Sequence, residues 1–336
     1  MPTRALSKVQ YGKESTRGTS VAATKILAGA EIKGVPVDRK PAFIEDALGV
    51  KVRTTRTEIH EYLVEDTLSI PNAYFQILPL IMSLGLKGGV TASETTPSQS
   101  DYLWAFTPSL TAANSPDTIT LEFGDDVQEY EVEYVMFKKI KISGEVAQDG
   151  GESPVSIEVE YFGRQMTKSS FTGSLSLPTM TGMNAKLARF YKDALWANKG
   201  TTEKTNGLRK FEVEIITGLH PKMMGSASKY FNTYGESFID ATMTLTLEGN
   251  SDANAIYDDF LAGTAAVYTL VVNGPTIGSG TPHNLTVYLY GVPEMVEPLS
   301  EESNGNNLHQ VLVHGIYDTV GAAMLGVNVT TNSSSI

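Results

Sequence analysis

The chain has 336 residues and no cysteine, and its 38 Asp and Glu against 26 Lys and Arg give a formal net charge of −12. This composition excludes disulfides, thiolate nucleophiles and cysteine metal sites, and the acidic balance argues against binding to phosphate backbones. No apolar run reaches the roughly 18 residues of a membrane span. Residues 1–30 lack the apolar centre of a signal peptide, so we expect synthesis and use in a cytoplasm.

Positive charge is concentrated at the amino end. Residues 1–60 hold eleven Lys and Arg against six Asp and Glu, which leaves fifteen basic and thirty-two acidic residues for the remainder. Residues 1–34 are rich in Gly, Ser, Thr and Ala and show no clear periodicity. They are either an extended arm or a disordered terminus.

The first structured part begins with strands around an apolar helix. Thr67 and Ser69 alternate with Leu68 and Ile70, which predicts a strand with one dry face. The apolar segment 73–84 predicts a buried helix that is kinked or shortened at Pro79. Further strands are predicted at residues 41–44, 104–106, 128–146 and 154–162.

Residues 169–207 separate this part from the next one. An apolar stripe follows Asn184 at helical spacing, and it predicts a short helix that packs within a connector. The stripe consists of Leu187, Phe190, Tyr191, Ala194 and Leu195.

The second structured part repeats the order of the first. Thr242, Thr244 and Thr246 alternate with apolar residues, which predicts another strand with one dry face. Asn250 then predicts a helix start and Gly263 a helix end. Other strands are predicted at residues 211–216, 267–272, 284–292 and 308–318.

The repeated order of elements favours duplication over two unrelated β-rich domains. The fold class is therefore predicted as mainly β, with two barrel or sandwich modules that each carry a covering helix. The expected organisation is an arm at 1–34, a first module at 35–168, a connector at 169–207, a second module at 208–320 and a tail at 321–336.

Catalytic and metal-binding patterns are weak. His309 and His314 lie five residues apart on a predicted strand, where they would point to opposite faces and could not share a metal. The sequence contains no GxxxxGK[ST] phosphate loop and no GxSxG nucleophile motif. We therefore expect no enzyme activity, no cofactor and no metal.

Two rows of carboxylates follow a spacing of two along predicted strands. Glu129, Glu131 and Glu133 form one row, and Glu158 and Glu160 form the other. Such a row is either a solvated face or, if the strands line a channel, an acidic wall.

The doubled β-rich unit resembles the tail tube protein, or major tail protein, family of long-tailed bacteriophages. The closest parts are the opening YGKESTRGTSVAAT at residues 11–24 and the strand TMTLTLEG at residues 242–249. The resemblance covers most of residues 5–320 and includes no catalytic motif.

The resemblance implies a structural virion protein assembled in the host bacterial cytoplasm. Six modules complete a ring in that family, so three copies of this chain would form a ring, and stacked rings would form an acidic tube. Its partners would be itself, the tape measure protein, the tail terminator and the tail-tip or baseplate proteins, while DNA passes without specific binding. The expected lumen-facing residues are Glu129, Glu131, Glu133, Glu158, Glu160, Thr242, Thr244, Thr246 and Glu248.

Stacking of rings would use the basic arm and the basic insertions against the acidic body. The expected stacking residues are Arg4, Lys8, Lys13, Arg17, Arg53, Arg56, Lys222 and Lys229. Two alternatives remain open from the sequence: a related baseplate or secretion-tube component, and a sugar-binding β-sandwich protein.

Overall fold

The structure is a computed structural model that describes residues 6–336 apart from residues 33, 35, 36, 206, 227 and 304, with only the backbone of residues 37–40. The fold is mainly β, with 50% of the residues in strands and two α-helices in the described part. This confirms the predicted class. Arg4 lies outside the described residues.

The strands of the first half run as follows: β1 (Lys8–Lys13), β2 (Lys25–Ile26), β3 (Glu31–Ile32), β4 (Val37–Ile44), β5 (Arg56–Ile70), β6 (Ser93–Glu94), β7 (Tyr102–Phe106), β8 (Ile119–Gly124), β9 (Glu129–Glu145), β10 (Val155–Gly163) and β11 (Gln165–Ser169). Those of the second half are β12 (Ala188–Asp193), β13 (Leu208–Ile216), β14 (Leu219–Lys222), β15 (Thr233–Glu236), β16 (Asp240–Glu248), β17 (Ala266–Thr276), β18 (Pro282–Ser303), β19 (Asn306–Gly315) and β20 (Leu325–Thr331). The helices are α1 (Leu78–Gly85) and α2 (Ser251–Ala262).

The same four-stranded antiparallel order occurs in each half. In the first half β4 pairs with β5, β5 with β10, and β10 with β9. In the second half β13 pairs with β16, β16 with β19, and β19 with β18. The registers also agree, because Leu68 lies opposite Val159 as Leu245 lies opposite Val311.

The long strands β9 and β18 both extend beyond these four-stranded sheets, where their first parts pair with other strands. The first part of β9 lies between β8 and β11, and the first part of β18 lies between β17 and β20. In turn β1 pairs with β8, and β12 pairs with β17. Each repeat therefore starts at β1 or β12 and ends at β11 or β20.

This pairing changes the interpretation of three segments predicted to lie outside the modules. The described part of residues 1–34 is no free arm, because β1 is a sheet strand with Val9 and Tyr11 buried. Residues 169–207 contain β12, and the 321–336 tail contains β20, which also pairs with β7 of the first half. Apolar side chains on these strands complete the core, so the strands are integral to the fold.

The short helix predicted after Asn184 is wrong. A 3₁₀ turn occupies Ala185–Leu187, and residues 188–193 form β12. Phe190 is buried opposite Leu270, whereas Leu187 and Leu195 are exposed. The stripe at helical spacing was therefore coincidental, and pairing with β17 determines the backbone.

Both covering helices are present. A 3₁₀ turn at Phe75–Ile77 precedes α1, which has Pro79 in its first turn, so the predicted segment is shortened to a helix of eight residues. Helix α2 begins at the predicted cap Asn250 and ends at Gly263, whose φ of 64° is the left-handed conformation of a helix end. Helix α1 packs on β9, and α2 packs on its counterpart β18.

A hydrophobic core extends through both halves. One cluster of buried side chains includes Leu68 and Ile140 of the first half together with Leu245 and Val313 of the second. A smaller cluster lies where residues 217–239 of the second half cover the first half.

Candidate functional site: a polar sheet with two unlike edges

The two four-stranded sheets join edge to edge. β9 of the first half pairs with β13 of the second, from Glu145 opposite Lys210 to Lys139 opposite Ile216. The result is one antiparallel run of eight strands in the order β4, β5, β10, β9, β13, β16, β19 and β18.

One face of this run is polar and solvent-accessible. Cross-strand pairing places Glu158 opposite Lys141 and Glu160 opposite Lys139. Lys139 Nζ lies 2.9 Å from a Glu214 carboxylate oxygen, and Lys141 Nζ lies 2.9 Å from Glu212. These ion pairs cross the boundary between the two halves.

The centre of this face is mixed in charge. Its five carboxylates are Glu65, Glu158, Glu160, Glu212 and Glu214, and its three lysines are Lys138, Lys139 and Lys141. The hydrogen bond to Glu214 is the largest cause of a raised pKa at Lys139, so its charged form is favoured. The face therefore has acidic excess without being a bare acidic wall.

Several predicted lumen residues lie on this polar face. Glu158 is exposed and Glu160, Thr242 and Thr244 are partly exposed. Thr246 follows on the same strand but is buried opposite Lys210. Glu248 at the end of β16 forms an ion pair with Arg209.

The predicted row at Glu129, Glu131 and Glu133 does not belong to this face. These residues lie on the first part of β9, paired with β8 and β11, after which the backbone turns at Tyr134 with φ 58°. Glu129 is only 4% exposed, and Glu133 forms an ion pair of 2.7 Å with Arg164. The placement of Glu129 in an open channel is wrong for the isolated chain, because the row lies within a closely packed polar cluster.

Two further carboxylates, which the sequence did not single out, fix the amino-terminal segment over this cluster. Glu14 accepts hydrogen bonds from the Gly18 and Tyr134 amides and from the Thr118 and Thr120 hydroxyls at 2.7–3.0 Å. Glu122 accepts from Gln10, Ala23 and Thr172 at 2.6–3.0 Å. For Glu14, the sequence signal for this role was the stretch rich in Gly, Ser and Thr that follows it at residues 15–20.

These carboxylates differ in protonation. Burial raises the pKa of Glu122, but the hydrogen bonds from Thr172, Gln10 and Ala23 outweigh it and hold the pKa below its usual value. Burial, followed by repulsion from Glu122 and Glu131, raises the pKa of Glu129 to about 7. Burial likewise raises the pKa of Glu131.

The eight-stranded run ends in two unlike strands. At one end the described residues give β4 the single strand partner β5. At the other end, residues 295–297 of β18 pair with β19 and no second strand in the described part of the chain. The corresponding residues of β9, Lys139–Lys141, have β13 as a second partner, so this edge of β18 is open.

The predicted stacking residues are largely engaged within the chain. Lys8 Nζ lies 4.1 Å from the Phe171 ring centroid, and Lys13 forms an ion pair of 2.8 Å with Asp117. Arg17 donates to the carbonyls of residues 115 and 116, at 3.2 and 3.0 Å. These three cations are therefore partly satisfied without a second ring.

The remaining stacking candidates lie on two hairpin ends. Arg53 and Arg56 form ion pairs with Glu45 and Asp46 on the β4–β5 connection. Lys229 Nζ donates to the carbonyl of Ile59 at 2.5 Å, and Lys222 is exposed on β14.

Other kinds of site are poorly supported. Among the described residues, no group of three or more His, Asp or Glu could hold a metal ion, and no helix is long and apolar enough to cross a membrane. His309 is buried, and His314 lies between Asp240 and Glu294 at 3.2 and 3.1 Å. The sequence matches no protein-family model and no curated protein.

Proposed function

We propose that this chain is a tube-forming structural protein of the phage tail tube kind, in which three copies close a ring and rings stack into a tube. The observation that carries the proposal is the junction between β9 and β13. It joins two sheets of the same strand order edge to edge, and it leaves an open edge of the same kind at β18.

An unpaired strand edge is a template for pairing with another chain. If β18 of one copy pairs with the β3–β4 edge of the next, the contact repeats the internal β9–β13 junction. Such a head-to-tail contact uses two different surfaces, so it produces a ring when the rotation closes. Six repeats make a ring in the family that the chain resembles, which corresponds to three copies here.

The matched register identifies the paired segments. Ile215 lies opposite Ile140 in the internal junction, and Val37 and Val296 occupy the corresponding strand positions. The match on β18 ends at Glu297, because Pro298 lacks an amide donor and Leu299 has a φ of 62°. We infer a short junction between copies that the neighbouring hairpins extend.

The polar face of the eight strands would line the channel. Lys139 and Lys141 on this face are paired with carboxylates, and the acidic excess of its centre would repel DNA. In this proposal the lining includes Glu158, Glu160, Thr242 and Thr244, and Glu212 and Glu214 join it in place of the Glu129 row.

The remaining partners follow from the same proposal. The tube would enclose the tape measure protein during assembly and contact a terminator at one end and tail-tip or baseplate proteins at the other. The assembled protein would belong to the virion.

A proline at the open edge tests the proposal. Val296→Pro removes an amide donor from the open edge of β18, at the position that corresponds to Ile140 in the internal junction. We expect the variant to remain folded by circular dichroism but to form no rings in size-exclusion chromatography with light scattering. Leu177→Pro, in an exposed loop, should assemble like the unmodified protein. Normal assembly of folded Val296→Pro protein would count against ring closure through this edge.

A further inference from the structure

The two halves contain hairpins whose paired strand segments match residue for residue. In the outer part of β4–β5, Pro41 lies opposite Ile59 and Ile44 opposite Arg56. In β14–β15, Leu219 lies opposite Glu236 and Lys222 opposite Thr233. The connecting tips are also alike in length, at residues 45–55 and 223–232.

The tip of the second hairpin packs on the first half of the same chain. Phe231 is buried against Tyr134 and Phe162, with ring centroids 5.0 and 5.6 Å apart. Tyr230 stacks on Tyr62 at 5.2 Å, and the Tyr62 amide donates to the carbonyl of Lys229 at 3.1 Å. The tip therefore lies beside β5, where β10 has already ended at Gly163.

The tip of the first hairpin is an exposed apolar surface. Leu48, Val50 and Val52 are 60–67% exposed, and Phe43 on the adjoining strand is 65% exposed. In the second hairpin, Phe231 of the corresponding tip is buried against the first half.

The second half carries an open surface at the matching place. The three residues between Ile59 and Leu63 on β5 correspond to the three between Glu236 and Asp240, so Tyr62 corresponds to Ile239 and Glu61 to Phe238. Phe238 is 95% exposed. Phe238 and Ile239 also border a cavity of about 760 Å³ whose other lining residues include Leu110 and Tyr317.

We propose that the β4–β5 tip of one copy packs on this surface of the next copy, with Val52 against Ile239 and the apolar tip over Phe238. The proposal rests on the ring proposed above and identifies the contact that holds its members together. It pairs the exposed apolar tip with the exposed Phe238 and the partly buried Ile239; the counterparts of Val52 and Ile239, which are Tyr230 and Tyr62, already stack within the chain.

The charged groups around the surface are compatible with this partner. Lys51 of the tip corresponds in position to Lys229, which donates to a β5 carbonyl in the internal contact. The receiving surface presents Asp240 and Glu294 on either side of His314, whereas the internal contact has Leu63 at the position of Asp240 and Phe162 at the position of His314. The tip carries Glu45 and Asp46 against Lys51 and Arg53, so it is neutral overall, and Lys51 is the cation that would meet the acidic surface.

Cysteine cross-linking tests the contact directly, because the natural chain has no cysteine. The variant V52C/I239C should form disulfides between chains on oxidation, with products of two and three chains in a non-reducing denaturing gel. The matched internal variant Y230C/Y62C should give a disulfide within one chain and no larger product. Each single cysteine variant should stay at the size of one chain.

The outcomes separate this contact from the proposed function. Normal rings by electron microscopy without cross-linked chains would overturn the tip contact and leave the ring proposal standing. Covalent ladders beyond three chains would place the tip on a neighbouring ring and overturn the contact within a ring. Absence of rings from the unmodified protein would overturn both proposals.

A second variant covers the case in which the cysteine pair does not fold. Phe238→Glu introduces a charge on an exposed position and should leave the fold intact. We expect it to raise the concentration required for ring assembly at least tenfold, whereas Leu177→Glu should have no effect. Unchanged assembly of Phe238→Glu would contradict the contact.

Discussion

At the scale of single residues, the carboxylates of this chain perform two different tasks. Glu212 and Glu214 meet lysines on a solvent-accessible sheet face, so their charges are compensated pairwise. Glu14 and Glu122 are buried acceptors that fix the amino-terminal segment to β8 and β9. Glu129 shares their cluster but has a pKa raised to about 7.

The raised pKa of Glu129 predicts a loss of stability as pH rises. The folded state holds a proton that an ordinary glutamate in the unfolded chain releases near its usual pKa of 4.5. The contribution of Glu129 to stability is therefore greatest below that value and falls as pH rises through about 7, by on the order of 2 kcal/mol. Glu129→Gln should remove this contribution when urea unfolding is compared at pH 5 and pH 8.

The matched control is Glu158→Gln on the exposed sheet face. It should leave the difference in unfolding free energy between the two pH values unchanged. If Glu129→Gln keeps the full pH dependence of the natural protein, the carboxyl of Glu129 is not the group responsible.

Loss of the Glu14 carboxylate should be more damaging. Glu14→Ala leaves two buried amides and two hydroxyls without their acceptor, and we expect a loss of about 3 kcal/mol or more in the free energy of unfolding. Hydrogen exchange should accelerate at the Gly18 and Tyr134 amides. Glu152→Ala, at an exposed position, should change neither quantity; unaltered exchange in Glu14→Ala would refute the role of the carboxylate.

At the scale of elements, sequence patterns predicted α2 and the strand before it well. Asn250 and Gly263 are local signals that act at the two ends of one helix. By contrast, β12 was misread as a helix because its conformation depends on pairing with β17, eighty residues away along the chain. The burial of β1 depends in the same way on β8.

Local alternation along a strand also decides which site residues can be predicted from the sequence. Alternation placed Glu158, Glu160 and Thr244 correctly on a polar strand face. It could not reveal the turn of β9 at Tyr134, which moves Glu129 and Glu131 to another sheet. Nor could alternation predict the partners of Glu212, because they come from another strand.

The cap of α2 gives a prediction at this scale. Asn250 Oδ1 accepts hydrogen bonds from the amides of Asp252 and Ala253, at 2.9 and 3.0 Å. Asn250→Ala should therefore reduce the free energy of unfolding by about 1 kcal/mol in denaturant titration. Asn254→Ala, on the exposed side of the helix, should not be destabilising; equal losses in both variants would argue against the capping role.

Deletion of residues 1–34 should disrupt the fold. The deletion removes the buried residues Val9 and Tyr11 and the Glu14 carboxylate. We now expect the truncated protein to lose its cooperative thermal transition and to be digested rapidly by protease. Recovery of soluble, protease-resistant rings would contradict the structural role of β1.

At the scale of the whole molecule, two like repeats produce a chain with unlike ends. The internal contact between them combines strand pairing at β9–β13 with hairpin packing around Phe231. The same two components are left open outside, at the edge of β18 and at the β4–β5 tip. Contact with further copies would pair the open edge and cover the exposed tip. This is the physical basis of the proposed ring.

The most direct test of that central claim is electron microscopy of the purified, unmodified chain in negative stain. We predict hollow rings or stacked tubes whose class averages contain three copies and six similar units around the channel. Dispersed single chains at high protein concentration, with no rings or tubes, would contradict it.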